Sequence, residues 1–123
     1  YKIYNEKQKN IFDVAYYAQQ EAVKAIRPGI RACDIDKIAR DIISDNGYGK
    51  YFPHLTGHGI GISIHEKPIL DVGVETILKP NMVVTVEPGI YLEDVGAARV
   101  EDMVLVTQNG NEVLTKTERD LIL

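Results

Sequence analysis

The chain has 123 residues, a net charge of −4 and a pI near 5.3. This length suits one domain with a modest core, and the charge excludes the basic footprint of a nucleic-acid-binding protein. A composition that is 45% hydrophobic and 26% charged is typical of a globular chain. The single cysteine, Cys33, excludes an internal disulfide, and no apolar run is long enough to cross a membrane. We therefore expect one domain over residues 1–123, located in the cytoplasm.

Two amphipathic helices are predicted within residues 5–47. In each, apolar residues recur every three or four positions, which places them on one face of a helix. The first helix ends at Pro28-Gly29 and the second at Asn46-Gly47, which are typical helix-ending pairs. The short connection predicts that the helices pack against each other. The apolar stripes are Ile11, Ala15, Ala18 and Ala22 in the first helix and Ile35, Ile38, Ala39, Ile42 and Ile43 in the second.

Residues 48–123 are predicted to form a glycine-rich loop followed by strands. The segments "MVVTVE" (82–87), "GIYLED" (89–94) and "AARVEDMVLVT" (97–107) are rich in β-branched residues or alternate in polarity. Asn109-Gly110 predicts a hairpin leading into "NEVLT". We therefore predict an α+β fold in which two packed helices lie against an antiparallel sheet, with the strands ordered as a meander.

The segment "HLTGHGIGISIHE" (54–66) contains all three histidines of the chain. His54 and His58 have the spacing of a helical zinc motif, but Leu55-Thr56 replaces the required glutamate and the glycines disfavour a helix. A loop or strand must therefore present them. His65 could join His58 on one side only if the backbone bends between them. Local structural histidines and a metal site both remain possible from this pattern.

Carboxylates on predicted strands are the second feature. Glu87 ends "VVTVE", and in "ARVED" Arg99 and Glu101 share one strand face by the period of two. A buried carboxylate requires a partner or a cation, whereas an exposed Arg99–Glu101 ion pair would need no function. One imidazole with two carboxylates suits Mn²⁺, Co²⁺, Fe²⁺ or Zn²⁺. The other acidic residues nearby, Glu93, Asp94 and Asp102, are expected to lie in solvent.

Three blocks, "HLTGHGIGISIHE", "MVVTVEPGIYL" and "ARVEDMVLVT", closely resemble in order the signature of the pita-bread metallopeptidases. The chain is most similar to the Xaa-Pro branch, which comprises Xaa-Pro dipeptidase (prolidase) and Xaa-Pro aminopeptidase. The segment "IRPGIRACDIDKIARDII" resembles the helix pair of that family. The resemblance implies one lobe, the C-terminal half, of a two-lobed catalytic domain. It also implies hydrolysis of the peptide bond before proline, in a dipeptide or at a peptide N-terminus, by a hydroxide bound to two metal ions.

The resemblance also implies the metal ligands. His58 matches the ligand histidine of the family's GHGIG block, and Glu87 matches a ligand that also serves as the base for the attacking water. Glu101 matches the carboxylate that bridges the two ions. The complete enzyme would hold two divalent ions, either Mn or Co or else Zn or Fe.

Three further residues match substrate-side positions of the family. His65 matches the histidine that stabilises the scissile carbonyl, and His54 matches one that lines the substrate pocket. Arg99 matches an arginine that orients the neighbouring carboxylates. His54 favours the Xaa-Pro branch over methionine aminopeptidases, which lack a histidine four residues before the ligand.

The sequence departs from the family in its ligand count. Two of the family's five ligands are aspartates on strands that precede the helix pair, and no aspartate here has that context. The aspartates of the helical region all fall within the predicted helices: Asp13, Asp34, Asp36, Asp41 and Asp45. We therefore expect the chain alone to bind metal weakly and to be inactive. A non-catalytic binding module that retains the fold is the alternative. One lobe should leave apolar surface uncovered, so we also expect a homodimer.

Overall fold

The computed structural model describes residues 5–60, 68–115 and 121–122. The first helix, α1, spans Glu6–Ala25. Asn5 caps it by accepting from the backbone N–H of Gln8, while the Gln8 side chain accepts from the backbone N–H of Asn5. This capping box satisfies two backbone donors that helix geometry leaves free. Among the described residues, no helix is long and apolar enough to cross a membrane.

The second helix, α2, spans Ala32–Asp45, and the two helices pack against each other. Gly29, with φ +95°, makes the turn that connects them. Arg31 occupies the N-cap of α2 without a side-chain cap and pairs with Asp34 instead. The helix pair predicted over residues 5–47 is confirmed, and the predicted stripe of α1 is buried at Ile11 and Ala18.

Beyond α2, the described residues form short strands and one 3₁₀ turn, which loops connect. The 3₁₀ turn is Gly49–Tyr51. The strands form three antiparallel sheets with the orders β1-β2, β3-β6-β7 and β4-β5-β8. Their bounds are β1 Gly57–His58, β2 Ile69–Leu70, β3 Val83–Val86, β4 Gly89–Leu92, β5 Gly96–Arg99, β6 Asp102–Val106, β7 Asn111–Val113 and β8 Leu121–Ile122. The predicted helices and antiparallel strands are therefore present.

The strand order differs from a simple meander. β3 pairs with β6, while β4 and β5 form a separate hairpin inserted between them in sequence. Pro88 follows the end of β3, and because proline has no N–H to donate, the ladder stops there. The hairpin predicted at Asn109-Gly110 is confirmed, with Val106 paired to Asn111 across it.

The core lies between the helices and the strands. α1 contacts β3, β4 and β5, and its apolar face packs on side chains of these strands. Ile11, Ile35, Val84, Ile90 and Val104 are all fully buried. Burial of such side chains supplies the dominant favourable free energy of folding. The loop that follows α2 and the ends of β1 and β3 emerge at the edge of this core.

Asp102 was predicted to lie in solvent, and this is wrong because only 1% of its surface is exposed. The alternation through "ARVED" continues across the break between β5 and β6, so Asp102 falls on the buried side with Val100. Its carboxylate accepts hydrogen bonds from the Gln19 side chain at 2.8 Å and the Thr115 hydroxyl at 2.8 Å. These donors offset the cost of burying a charge. Glu93 and Asp94 are exposed, as predicted.

Candidate metal and substrate site

His58 and Glu87 meet where β1 and β3 end side by side. The Ile60 N–H donates to the Val83 carbonyl at 2.7 Å, and the Glu87 N–H donates to the Thr56 carbonyl at 2.6 Å. These bonds hold the two segments in register, so His58 Nε2 lies 3.5 Å from Glu87 Oε2. Glu87 is mostly buried and His58 is half exposed, which leaves the pair accessible from one side.

Gly57 is what allows β1 to lie so close to β3. A Cβ atom at this position would stand 1.8 Å from the backbone oxygen of Thr85. Only glycine can occupy such a contact without displacing a backbone. The glycine beside the predicted ligand histidine therefore has a steric role.

The hydrogen bonding of His58 suits a metal ligand. Its Nδ1 lies 3.1 Å from the Gly59 carbonyl oxygen. Because a carbonyl oxygen only accepts, Nδ1 carries a proton, and Nε2 is the ring nitrogen on the side of Glu87 where a cation can bind. This is the arrangement found for most metal-binding histidines. Two acceptors that face each other repel unless a cation, either a proton or a metal ion, lies between them.

The distance between the two side chains also fits a shared divalent ion. Ligands bonded at about 2.0–2.2 Å to one tetrahedral ion lie about 3.4 Å apart. The His58–Glu87 separation of 3.5 Å is close to this value. One imidazole and one carboxylate match the donor preference of Mn²⁺, Co²⁺, Fe²⁺ and Zn²⁺. These two residues therefore fit part of a metal site.

Glu101 is not brought into this pair. Its carboxylate lies 3.9 Å from the Arg99 guanidinium, and both side chains are about 40% exposed (41% and 42%). Across residues 5–60, 68–115 and 121–122, no group of three His, Cys, Asp or Glu side chains is placed to hold one ion. The surface ion pair considered as the alternative for Arg99 and Glu101 is thus the arrangement observed. Glu101 would have to move closer to His58 and Glu87 to become a third ligand.

His54 packs against two aromatic rings and uses both ring nitrogens within the protein. Nδ1 donates to the Leu55 carbonyl at 2.6 Å, and Nε2 is hydrogen-bonded to the Tyr91 hydroxyl at 2.9 Å. The rings of Phe52 and Tyr91 meet it edge-on with centroids at 5.0 Å and 5.3 Å. His54 is therefore suited to lining a pocket, whereas His65 lies outside the described residues.

A buried ion pair on α2 supports the loop that bears His54. Asp36 is 1% exposed and is bonded by Arg40 through two nitrogens, each at 2.9 Å. The hydrogen bonds that Arg40 donates to Asp36 are the main reason that the pKa of Arg40 is raised, with burial opposing it. The Thr56 hydroxyl also donates to Asp36 at 2.7 Å.

Sequence reasoning missed several residues that shape this site. The i, i+4 spacing of Asp36 and Arg40 is typical of a helical ion pair, but nothing local indicates its burial. Tyr91 stands in "GIYLED" without a pattern that assigns it to His54. The predicted helical location of the aspartates is confirmed for Asp13 in α1 and for Asp34, Asp36, Asp41 and Asp45 in α2.

Known proteins share both the sequence and the fold. The family model described as metallopeptidase family M24 matches residues 2–108. The Xaa-Pro dipeptidase of Pyrococcus furiosus is 52% identical over 118 residues, which are 96% of this chain and 34% of that protein. The Pyrococcus horikoshii Xaa-Pro dipeptidase is 51% identical with the same coverage. The solved prolidase of P. horikoshii superposes with a TM-score of 0.89 over 96% of this chain and 34% of that one. The chain thus spans about a third of the length of these relatives.

Proposed function

Since the chain belongs to metallopeptidase family M24, we propose that it forms part of the catalytic centre of an Xaa-Pro dipeptidase. The observation that carries this proposal is the pairing of His58 and Glu87 at 3.5 Å, with the Gly59 carbonyl bonded to Nδ1, the His58 nitrogen away from Glu87. The aromatic rings around His54 support it, because a proline ring is apolar and packs well on aromatic faces.

His58, Glu87 and Glu101 are the residues that would hold divalent ions. When bound, two such ions would supply an activated water and polarise the scissile carbonyl. Mn²⁺ or Co²⁺, and after them Zn²⁺ or Fe²⁺, match the donor set. Arg99 lies 3.9 Å from Glu101 and would fix the orientation of that carboxylate once it turns toward the ions.

The remaining roles concern protons and substrate. Glu87 Oε2 would accept a proton from the attacking water and deliver it to the proline nitrogen as the peptide bond breaks. His54 would line the pocket for the dipeptide, and His65 would donate to the carbonyl oxygen as negative charge develops there. The chain supplies matches for three of the five ligands of the family, so we propose that two aspartates outside these 123 residues complete the site.

A hybrid enzyme tests this proposal. These 123 residues would replace the matching third of the P. furiosus Xaa-Pro dipeptidase, and hydrolysis of Ala-Pro would be followed with Mn²⁺ or Co²⁺ added. We expect turnover, and we expect His58→Ala and Glu87→Gln each to lower it by at least ~100-fold, since even second-sphere changes cost 10- to 100-fold.

Controls make the outcome decisive. Glu112→Gln changes an exposed carboxylate on β7 and should leave the rate unchanged. The 123-residue chain alone should show no cleavage of Ala-Pro. Comparison of Ala-Pro with a longer peptide that begins Ala-Pro would separate a dipeptidase from an aminopeptidase. A folded hybrid that cleaves neither, or full activity after His58→Ala, would reject the proposed function.

A non-catalytic peptide-binding module is the second candidate. It is favoured by the pairing of Glu101 with Arg99 and by the lack of a three-ligand group among the residues that the structure describes. This candidate predicts that the hybrid binds Ala-Pro, as calorimetry would show, yet hydrolyses it at no measurable rate with any of the four metals.

Self-association is also proposed for this chain. Several apolar side chains at or next to β1 and β2 are exposed, among them Val72 at 68% and Ile69 at 45%. Apolar surface of this kind favours contact with a second copy. Sedimentation of the 123-residue chain at high concentration should show a dimer, and a single sharp monomer boundary would contradict this.

A further inference from the structure

We propose that Arg40 is a positioning residue for His54, and that it sets the substrate pocket from helix α2. This inference rests on the proposed function only in taking His54 as a pocket residue. Its geometric part, that Arg40 fixes the loop of residues 52–56, stands on contacts within the chain.

Arg40 binds the main chain of the 52–56 loop at two carbonyl groups. One terminal nitrogen donates to the Phe52 carbonyl at 3.1 Å, and the other donates to the His54 carbonyl at 2.9 Å. The guanidinium also lies over the Phe52 ring, 4.2 Å from its centroid, where a cation–π attraction adds to the hydrogen bonds. The two carbonyls flank Pro53, which has no N–H and cannot anchor the loop itself.

Asp36 fixes Arg40 in turn. Its buried carboxylate accepts from Nε and from one terminal nitrogen of Arg40, which sets the plane of the guanidinium. Asp71, which is partly exposed, adds an outer contact at 3.7 Å to Arg40. A lysine could keep the charge beside Asp36, but its single ammonium cannot reach the carboxylate and both carbonyls in this planar arrangement.

Thr56 connects the same network to the predicted metal ligand. Its hydroxyl donates to Asp36, and its carbonyl accepts from the Glu87 N–H at 2.6 Å. The position of His54 relative to Glu87 is therefore set by one buried carboxylate on α2. A change at Arg40 that leaves Asp36 and Thr56 in place should move the pocket side of the site and leave the Glu87 side unmoved.

The chain offers a matched control on the same helix. Arg31 donates to Asp34 through Nε at 3.1 Å and a terminal nitrogen at 3.0 Å. This pair repeats the chemistry of Arg40 and Asp36, but it is exposed, and no hydrogen bond found for the Arg31 side chain reaches the 52–56 loop. Arg40→Lys and Arg31→Lys thus make the same chemical change in two settings.

Two measurements test the proposal. In the 123-residue chain, the ring proton signals of His54, assigned with His54→Asn, should shift in Arg40→Lys and stay in place in Arg31→Lys. In the hybrid enzyme, Arg40→Lys should raise KM for Ala-Pro ~10-fold while kcat falls less than ~3-fold, since a misplaced pocket weakens binding of the substrate first. If Arg40→Lys does not fold, Arg40→Gln, which also loses the planar guanidinium contacts with the two carbonyls, takes its place.

Unmoved His54 signals in the folded variant would overturn the proposal, and so would an unchanged KM in an active hybrid. An inactive unsubstituted hybrid would reject the proposed function, and the His54 signals of the 123-residue chain would then still decide whether Arg40 positions the loop.

Discussion

Two parts of the chain carry the residues that we propose as metal ligands, and they are built differently. At the junction of β1 and β3, which comprises residues 56–58 and 85–87, main-chain hydrogen bonds and a buried threonine bring His58 and Glu87 within 3.5 Å. At residues 99–101, between β5 and β6, Arg99 and Glu101 face each other at 3.9 Å and are about 40% exposed (41% and 42%).

The difference shows which half of the site the chain organises on its own. At the β1–β3 junction the backbone is fixed by buried contacts and the Glu87 side chain is mostly buried, although the His58 ring is half exposed. An exposed ion pair such as Arg99–Glu101 contributes little free energy and can be exchanged for another partner. The junction is therefore preorganised, whereas Glu101 depends on what binds next to it.

Gly57→Ala should have the largest effect, because it breaks the junction itself. The new Cβ would collide with the Thr85 backbone oxygen at 1.8 Å, and a backbone cannot yield as a flexible side chain does. We expect a loss of about 3 kcal/mol or more in the free energy of unfolding, measured with urea. Gly110→Ala, where a Cβ meets nothing within 4 Å, is the matched control. Equal urea midpoints for the two variants would disprove the close packing at Gly57.

Asp36→Ala should come next. It leaves Arg40 without the buried carboxylate that holds it. Breaking a fully buried pair costs about 3–5 kcal/mol, and we expect less here because the Arg40 side chain is 26% exposed. Urea unfolding of the 123-residue chain would measure it, with Asp34→Ala on the exposed pair of the same helix as the control. A midpoint equal to that of Asp34→Ala would show that the Asp36 network does not stabilise the loop.

Glu101→Gln should cost far less. Because its partner Arg99 is 41% exposed, the pair should contribute less than about 1 kcal/mol to stability. The same urea experiment checks this expectation. A loss as large as that of Asp36→Ala would mean that residues 99–101 are as tightly organised as the junction, and the contrast between the two regions would not hold.

The smallest effect concerns pH at the exposed Arg31–Asp34 pair. The hydrogen bond from Arg31 holds the pKa of Asp34 below its usual value. A lowered carboxyl pKa contributes stability above the unfolded value, about 3.9, and this contribution disappears as pH falls through the folded value. Arg31→Gln should therefore lower the urea midpoint slightly at pH 7 and leave it unchanged at pH 2. A difference that grows toward acid pH would contradict this sign.

The sequence predicts the helices because their apolar stripes are strictly periodic, and it predicts the hairpin from Asn109-Gly110. The identities of His58 and Glu87 as partners came from resemblance, since no local pattern places residues 29 positions apart side by side. The burial of Asp102 could have been predicted from the sequence. In the alternation that places Arg99 and Glu101 on one strand face, Asp102 falls on the opposite face, which is buried. The charge of an aspartate predicts exposure to solvent, whereas the position of Asp102 on the strand predicts burial.

The support of His54 could not be read from the sequence. In the sequence, Asp36 and Arg40 have the i, i+4 spacing of an ordinary helical ion pair. The path of residues 52–56 buries this pair, and the sequence does not indicate that path. The pairing of β3 with β6 is likewise a long-range choice. This pairing requires the β4–β5 hairpin to turn out of the β3–β6 sheet after Pro88, and no local sequence pattern indicates that turn.

Paramagnetic line broadening by Mn²⁺ tests most directly whether the junction is a preformed metal site. Substoichiometric Mn²⁺ added to the isotope-labelled 123-residue chain should broaden the His58 ring and the Glu87 amide before the exposed carboxylates of Asp13 and Asp41. Glu87→Gln should abolish this selective broadening, and Glu101→Gln should leave it largely intact. Broadening spread evenly over all acidic residues, or lost equally in both variants, would contradict the account.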